Sequence, residues 1–301
     1  MMGVLDGKVA VVTGSGRGLG KSHALAMARE GAKIVVNDVG VEWDGTGQAA
    51  GPAEETVKEI KDLGSDAVAN YDSVASFQGA KNIIDTAINT FGKLDILVNN
   101  AGFLRDRMTF KMTEEEWDPV IEVHLKGTFN TGRWFTAYIR DQSKAGNQIN
   151  GRIINTVSHA GIIGSPGQPN YSAAKAGIAC LTITWAREME KYGMTANAVC
   201  PMARTRMTTA TDAVSGMFAE AEEGKFDEMA PENVSPLVVY LASDEAQDIT
   251  GHVISIRGGK LELFQSWQLA NSIDIGKRWE VAEIGERIRE LGDLGMPAIV
   301  F

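Results

Sequence analysis

The stretch Val9-Ala10-Val11-Val12-Thr13-Gly14-Ser15-Gly16-Arg17-Gly18-Leu19-Gly20 decides the fold, because an apolar run leads there directly into a glycine-rich turn. A helical pattern follows as far as Ala28. A strand, a glycine turn and a helix start in this order form a cradle for a dinucleotide pyrophosphate. An isolated glycine motif is also compatible with a flexible loop. We predict that five residues of the turn contact a dinucleotide: Gly14, Arg17, Gly18, Leu19 and Gly20.

The second apolar run, Lys33–Asn37, leads into Asp38. The dinucleotide fingerprint requires an acid about twenty residues after its glycines. This carboxylate can accept hydrogen bonds from both adenosine ribose hydroxyls, and it repels a 2′-phosphate. Arg17 favours NADP instead, since a basic residue in the glycine turn can bind that 2′-phosphate. The acid has the more direct geometry, so the predicted cofactor is NAD rather than NADP.

A second motif lies near the middle of the chain, where Tyr171 and Lys175 stand in the sequence Y-S-A-A-K. Spaced i and i+4, they share one face of a predicted helix. An ammonium group near a phenol lowers the phenol's pKa from its usual value of about 10. Ser158 follows the apolar run Ile153–Val157 and is predicted at the end of a strand. These residues are candidates for proton transfer between an alcohol and a carbonyl; an ordinary solvated helix face is the alternative.

The alternation of apolar runs and helical stretches predicts the fold class. The chain has 301 residues, 44% of them hydrophobic, which suffices for one large, well-buried domain. Strands that alternate with helices indicate βαβ units. We predict an α/β fold with a single Rossmann-type doubly wound parallel sheet and helices on both faces. Residues 1–259 would form the catalytic domain, and residues 260–301 an extension on the core or on a partner subunit, with an amphipathic helix at about 281–291.

Composition argues against several functional classes. The net charge of −10 disfavours a nucleic-acid partner, because phosphate binding needs a basic surface. No apolar run approaches the roughly 20 residues that span a bilayer, and the start of the chain has no signal-like region. Two cysteines, Cys180 and Cys200, resemble reduced core residues, so a cytoplasmic location is expected. The four histidines are scattered, and no metal site is predicted.

Together these motifs resemble the short-chain dehydrogenase/reductase family over about residues 5–259. The resemblance is carried by the glycine turn, by N-N-A-G at 99–102, by the Ser158, Tyr171 and Lys175 set, and by Cys200-Pro201. Within the family, V-V-N-D-V-G (35–40), N-N-A-G-F-L-R-D-R (99–107) and V-H-L-K-G-T-F (123–129) are similar to (3R)-hydroxyacyl-CoA and 17β-hydroxysteroid dehydrogenases. The resemblance implies NAD-dependent interconversion of a secondary alcohol and a ketone, on a lipid-like acyl-CoA or steroid. It also implies a homo-oligomer, either a dimer or a tetramer.

The resemblance further implies roles for single residues. Tyr171 would act as the base and Ser158 would orient the substrate oxygen, while Lys175 would bind the nicotinamide ribose. The remaining cofactor contacts implied are Asp72, Ser73, Asn100, Ala101, Gly102 and Pro201. For Asp72, an Asx-turn is the alternative to adenine contact.

His124 departs from the wider family, which usually has asparagine at this position, holding a water in a proton relay. The resemblance to hydroxyacyl-CoA dehydrogenases implies a catalytic role for this histidine. A packed, hydrogen-bonded histidine on a partly buried helix is an equally good interpretation.

The segment 201–229 is irregular and carries six large apolar side chains: Met202, Met207, Met217, Phe218, Phe226 and Met229. Methionine suits surfaces that close on apolar ligands, so this segment is a candidate substrate lid. A surface helix with inward-facing methionines is the alternative. Arg105, Arg107 and Lys111 could meet a coenzyme A phosphate, although a solvated face is the favoured interpretation.

Two other functions stay open at this point. One is a 3-oxoacyl-thioester reductase that uses NADPH, which Asp38 disfavours. The other is a catalytically idle dinucleotide-binding scaffold, which the joint presence of Ser158, Tyr171 and Lys175 disfavours.

Overall fold

The computed structural model of the chain describes residues 3–42, 44–47, 51–205, 222, 224–265 and 267–294. Its strands form one sheet in the order β3-β2-β1-β4-β5-β6-β7-β8. The strands are β1 Val9–Thr13, β2 Lys33–Asn37, β3 Ala67–Asn70, β4 Ile96–Asn99, β5 Arg152–Thr156, β6 Thr195–Pro201, β7 Val253–Arg257 and β8 Lys260–Phe264. The predicted α/β fold with a mostly parallel sheet is confirmed.

Helices cover both faces of the sheet. The described helices of the sheet-bearing unit are α1 Gly18–Arg29, α2 Gly51–Asp62, α3 Phe77–Phe91, α4 Glu114–Ile121, α5 Gly127–Lys144, α6 His159–Ile163, α7 Pro169–Met189 and α8 Ser235–Ala242. A separate small unit at the end of the chain contains α9 Val281–Arg287. Helices α1, α2 and α8 enclose one apolar cluster against the sheet. Helices α3, α5 and α7 enclose a second cluster on the opposite face. Because both faces are covered, β1 and β4 are buried along their whole length.

The last strand pairs differently from the others. Strands β1 to β7 pair with one another in parallel. Strand β8 runs antiparallel to β7, with Arg257 opposite Lys260. The intervening Gly258 has a φ of +51°, so a two-residue turn joins the strands as a hairpin. The sequence analysis missed β8 because the family pattern ends at this turn, yet Gly258-Gly259 is a hairpin signal in its own right.

The chain separates into a large unit that ends at Phe264 and a small one that begins at Gln265. Within the small unit, α9 continues as a 3-10 turn at Ile288–Leu291, over the span predicted to be helical. The Asn271 side chain donates to the Leu291 carbonyl at 2.8 Å. The predicted division of the chain at residue 259 stays a prediction.

The sheet order places the candidate site. Connections from β1 and β4 leave the centre of the sheet in opposite directions, and such a switch point opens a crevice at the carboxyl ends of the strands. The glycine turn follows β1, Asp38 follows β2 and Asn100 follows β4. Ser158 comes shortly after β5, and Pro201 ends β6. The predicted site residues therefore gather along one edge of the sheet.

Candidate active site

The glycine turn is closely packed against the turn that follows β4. Gly14 has a φ of +63°, and a Cβ added to it would lie 2.8 Å from the Ala101 Cα. A Cβ on Gly20 would lie 2.2 Å from the Gly14 carbonyl oxygen. A Cβ on Gly18, in contrast, would meet nothing within 4 Å, so the start of α1 faces open space. A backbone cradle at a helix start, open on one side, fits the pyrophosphate of a dinucleotide.

Thr13 joins the turns after β1 and β4. Its buried hydroxyl oxygen accepts the backbone N–H groups of Asn100 at 3.0 Å and Ala101 at 3.1 Å. The Asn100 side chain donates back to the carbonyls of Thr13 at 3.0 Å and Gly14 at 3.1 Å. Asn100 and Ala101 thus stabilise the cradle. Sequence reasoning missed Thr13, although a threonine that ends a strand before the glycine turn was a visible signal.

Asp38 lies at the mouth of the cradle. Its carboxylate accepts the backbone N–H groups of Gly16 at 2.8 Å and Gly40 at 2.7 Å, which fix its orientation. Arg17, the residue that argued for a 2′-phosphate, forms a salt bridge with Glu42 at 3.2 Å. The neighbouring Leu19 packs against the apolar cluster under α1.

Asp72 and Ser73 follow β3 at the same edge. The Asp72 carboxylate accepts hydrogen bonds from the side chains of Asn70 at 2.9 Å and Asn82 at 3.0 Å. The Ser73 hydroxyl oxygen accepts the Ala75 N–H at 3.3 Å. Asp72 is half-buried and Ser73 is exposed. The local network therefore orients Asp72, whose part in adenine contact stays a prediction.

Ser158, Tyr171 and Lys175 come together. Ser158 is the N-cap of α6, where its hydroxyl oxygen accepts the Ala160 N–H at 3.2 Å, and its side chain lies near enough to the Tyr171 phenol to lower the pKa of that phenol. Lys175 is 3% exposed, and its Nζ lies 5.5 Å from the centre of the Tyr171 ring. The Lys175 Nζ also donates to the Thr156 carbonyl at 2.6 Å. The structure thus places a phenol near a serine hydroxyl and beside a buried lysine side chain.

The pKa of Tyr171 does not follow the direction expected from the Y-S-A-A-K motif. The residue keeps some solvent exposure, but burial of its phenol raises the pKa to about 12, against the opposing effect of the Ser158 hydrogen bond. Burial also lowers the pKa of Lys175 to about 7. Burial shifts both groups toward their neutral forms, because a buried charge loses hydration. Helical spacing could not reveal this effect, which depends on the tertiary surroundings.

His124 lies beside this set, in a π-helical turn at Glu122–Lys126 between α4 and α5. Its ring is 5.1 Å from the Tyr171 ring, edge to face. The Nε2 atom is 2.8 Å from the Phe103 carbonyl oxygen and 3.1 Å from the Phe103 nitrogen, whereas Nδ1 is buried without a hydrogen-bond partner among the described residues. Burial, helped by the charge of Lys175, lowers the pKa of His124 to about 3. The imidazole is therefore neutral, and it packs so closely on Gly102 that a Cβ there would lie 2.0 Å from its Cε1.

The predicted lid lies largely outside the described residues, including Met207, Met217 and Phe218. Beside it, Pro201 pairs with Ile256 across the sheet. Arg204 forms an ion pair with Asp227, which joins the two described ends of the segment. Phe226 is exposed.

The cluster predicted as a possible coenzyme A phosphate site has protein partners. Arg107 forms a salt bridge with Glu116 at 2.8 Å. Arg105 donates to the carbonyls of Asp44 at 3.2 Å and Glu115 at 2.6 Å. Lys111 lies over the Phe110 ring at 5.8 Å. These contacts agree with the favoured interpretation of a solvated face.

Within the described part of the chain, no group of three or more potential metal ligands is found. No described helix combines the length and apolar character needed to cross a membrane.

The geometry and the comparisons define the class of protein. A family model described as short chain dehydrogenase matches residues 8–216. The chain belongs to the short-chain dehydrogenase family and is an oxidoreductase that acts on CH–OH donors.

Particular relatives refine this comparison. Hydroxyacyl-CoA dehydrogenase ChsB1 of Mycobacterium tuberculosis is 42% identical over 95% of this chain and 89% of its own length. Peroxisomal multifunctional enzyme type 2 of Mus musculus is 39% identical over 91% of this chain, which spans 33% of that enzyme. A short chain dehydrogenase from Mycobacterium avium, solved as a crystal structure, is 52% identical over 99% of this chain and 98% of that chain, with a TM-score of 0.86. The predicted resemblance to the short-chain dehydrogenase/reductase family and to hydroxyacyl-CoA dehydrogenases is confirmed.

Proposed function

We propose that this protein is an NAD-dependent dehydrogenase that interconverts a (3R)-hydroxyacyl-CoA and its 3-oxoacyl counterpart. The observation that carries the proposal is the meeting of Ser158, Tyr171 and Lys175 beside the glycine cradle, at one edge of the sheet. The name of the Mycobacterium tuberculosis relative supports the acyl-CoA substrate. A 17β-hydroxysteroid is the second candidate, as an alcohol that the same chemistry could oxidise.

The roles of the residues follow from their chemistry. Tyr171 takes the proton of the substrate hydroxyl, and Ser158, near the phenol, orients the same substrate oxygen. Lys175 donates one N–H to the Thr156 carbonyl and, when protonated, has two further donors for the ribose of the nicotinamide nucleotide. His124 supports proton exchange through its unpartnered Nδ1.

The displaced pKa values of Tyr171 and Lys175 bear on how the base forms. A phenolate alone and an ammonium alone are both disfavoured by burial, so the two charges are most stable when they form together. The nicotinamide, when bound, supplies the hydride acceptor and, in its oxidised form, a further positive charge. Proton removal by Tyr171 therefore depends on an occupied cofactor site.

The proposed cofactor is NAD, held by the glycine turn, Asp38, Asp72, Ser73, Asn100–Gly102, Lys175 and Pro201. Asp38 is held by two backbone N–H groups, so its charge cannot easily turn away from a 2′-phosphate. Arg17 pairs with Glu42 at the surface, so the Glu42 carboxylate competes with that phosphate for its charge. These contacts argue against the NADPH-dependent reductase. The predicted homo-oligomer and cytoplasmic location stay predictions.

A spectrophotometric assay tests the proposal. Formation of NADH from NAD, or of NADPH from NADP, is followed with a (3R)-hydroxyacyl-CoA, its (3S) epimer and a 17β-hydroxysteroid. The proposal expects the highest kcat/KM for the (3R)-thioester with NAD. A higher kcat/KM for the steroid would select the second candidate, and faster reduction of a 3-oxoacyl-thioester with NADPH would select the reductase. No turnover with any of them, while NADH still binds, would support the idle scaffold.

A further inference from the structure

The side chain of Asn170, immediately before Tyr171, is fully buried at 0% exposure. Its Nδ2 donates to the carbonyls of Arg105 at 3.0 Å and Glu116 at 2.9 Å. Its Oδ1 accepts the backbone N–H of Tyr171 at 2.7 Å. Both amide hydrogens and the amide oxygen are therefore engaged, and they join three separate parts of the chain.

The bond from the Tyr171 N–H to Asn170 supplies a hydrogen-bond partner that the start of α7 otherwise lacks. The first N–H groups of a helix have no partner within the helix, and an N-cap side chain usually accepts one of them. Helix α7 begins at Pro169, and its N-cap residue, Gln168, makes no such bond. Asn170 accepts the N–H of Tyr171 instead, from inside the first turn. The backbone of the residue that bears the phenol is thus held by its own neighbour.

The two bonds that the Asn170 amide donates hold the first turn of α7 to the segment after β4 and to α4. Arg105 lies just beyond Phe103, whose backbone meets His124, and Glu116 lies in the first turn of α4. Two further bonds join the same segments: the Arg107 N–H donates to the Gly167 carbonyl at 2.7 Å, and the Gln168 side chain donates to Asp106 at 2.8 Å. The Gln168 bond lies at the surface, whereas Asn170 itself is fully buried.

We propose that Asn170 is a positioning residue, which sets the place of the Tyr171 phenol by holding the first turn of α7 to α4 and to the segment after β4. It does not touch the reacting atoms. The inference rests on the proposed role of Tyr171 as the base, and it adds the contact that determines where that base lies.

The test compares Asn170→Ala with Gln168→Ala, a matched control that loses a surface bond of the same helix start. The first readout is amide hydrogen exchange at Tyr171, which requires no substrate. The others are kcat and KM with the (3R)-hydroxyacyl-CoA and the dissociation constant of NADH. Misplacement of a reacting group by about 1 Å can lower a rate by about 10²-fold. We expect faster exchange at Tyr171 and a loss in kcat of about this size in Asn170→Ala, with NADH affinity changed less than about twofold. Gln168→Ala should match the wild type.

A second variant, Asn170→Asp, separates the two kinds of bond and guards against a failure of Asn170→Ala to fold. It keeps an acceptor for the Tyr171 N–H and loses both donors. We expect protected exchange at Tyr171 together with a reduced kcat. Wild-type exchange and wild-type kcat in the variants would overturn the positioning role, and so would equal losses of kcat and NADH affinity. If the wild type oxidises no alcohol tested, the proposed function fails, but exchange at Tyr171 still decides whether Asn170 holds that turn.

Discussion

At the scale of single residues, the site combines a carboxylate of fixed orientation with two buried groups of displaced pKa. Asp38 accepts two backbone N–H groups. Burial raises the pKa of Tyr171 to about 12 and lowers the pKa of Lys175 to about 7. Their identities were predictable, because Y-x-x-x-K and a strand-terminal acid are local patterns. Their pKa values were not, because burial depends on parts of the chain that are distant in sequence.

Replacement of Asp38 tests the choice of cofactor. Asp38→Asn removes the charge that repels a 2′-phosphate and keeps an oxygen for a backbone N–H. We expect the ratio of kcat/KM with NADP to that with NAD to rise by about tenfold, which corresponds to about 1.4 kcal/mol. The matched control is Asp62→Asn, at an exposed position on α2. An unchanged ratio in Asp38→Asn would show that Asp38 does not select the cofactor.

At the scale of secondary-structure elements, the junction between β1 and β4 supports the cradle. Thr13→Val removes the oxygen that accepts the N–H groups of Asn100 and Ala101 while preserving the shape of the side chain. A buried donor left without a partner costs about 1–3 kcal/mol. We expect a lower free energy of unfolding by about this amount, together with weaker NADH binding. Urea unfolding and fluorescence titration measure the two effects.

The control for this junction is Thr184→Val, whose exposed hydroxyl donates to the Cys180 carbonyl of its own helix. It should leave both quantities nearly unchanged. Equal effects in the two variants would mean that the loss reflects valine in place of threonine and not the junction.

Elements were predictable where their pattern is local. The helices after the glycine turn and around Tyr171 follow from apolar spacing, and the capping box at Thr113 and Glu116 is present. The π-helical turn that presents His124 was not predictable, because a one-residue expansion of the turn leaves little trace in apolar spacing. The hydrogen bonds of Asn170 join residues far apart in the chain, so no local sequence pattern predicted them.

At the scale of the whole molecule, two buried histidines make stability depend on pH. Burial lowers the pKa of His23 and of His124 to about 3, whereas both have ordinary values near 6.5 when the chain unfolds. Between these values the unfolded state binds more protons, so stability rises with pH. The contribution of these residues is therefore full above pH 6.5 and is lost progressively as the pH falls toward 3.

Replacement of His124 tests this dependence. His124→Asn should flatten the rise of the free energy of unfolding between about pH 4.5 and 6.5, above the range in which most carboxylates titrate. His23 should preserve part of the slope. His252→Asn, at an exposed position, is the control and should leave the slope unchanged. A slope as steep in His124→Asn as in the wild type would contradict the burial of a neutral His124.

The most direct test of the account is the rate of NADH formation by Tyr171→Phe with (3R)-hydroxyacyl-CoA, measured beside its affinity for NADH. Phenylalanine keeps the ring that packs on His124 and removes only the hydroxyl. The account predicts that turnover is abolished while the dissociation constant of NADH stays within about twofold of the wild type. Turnover equal to that of the wild type would contradict the assignment of Tyr171 as the base.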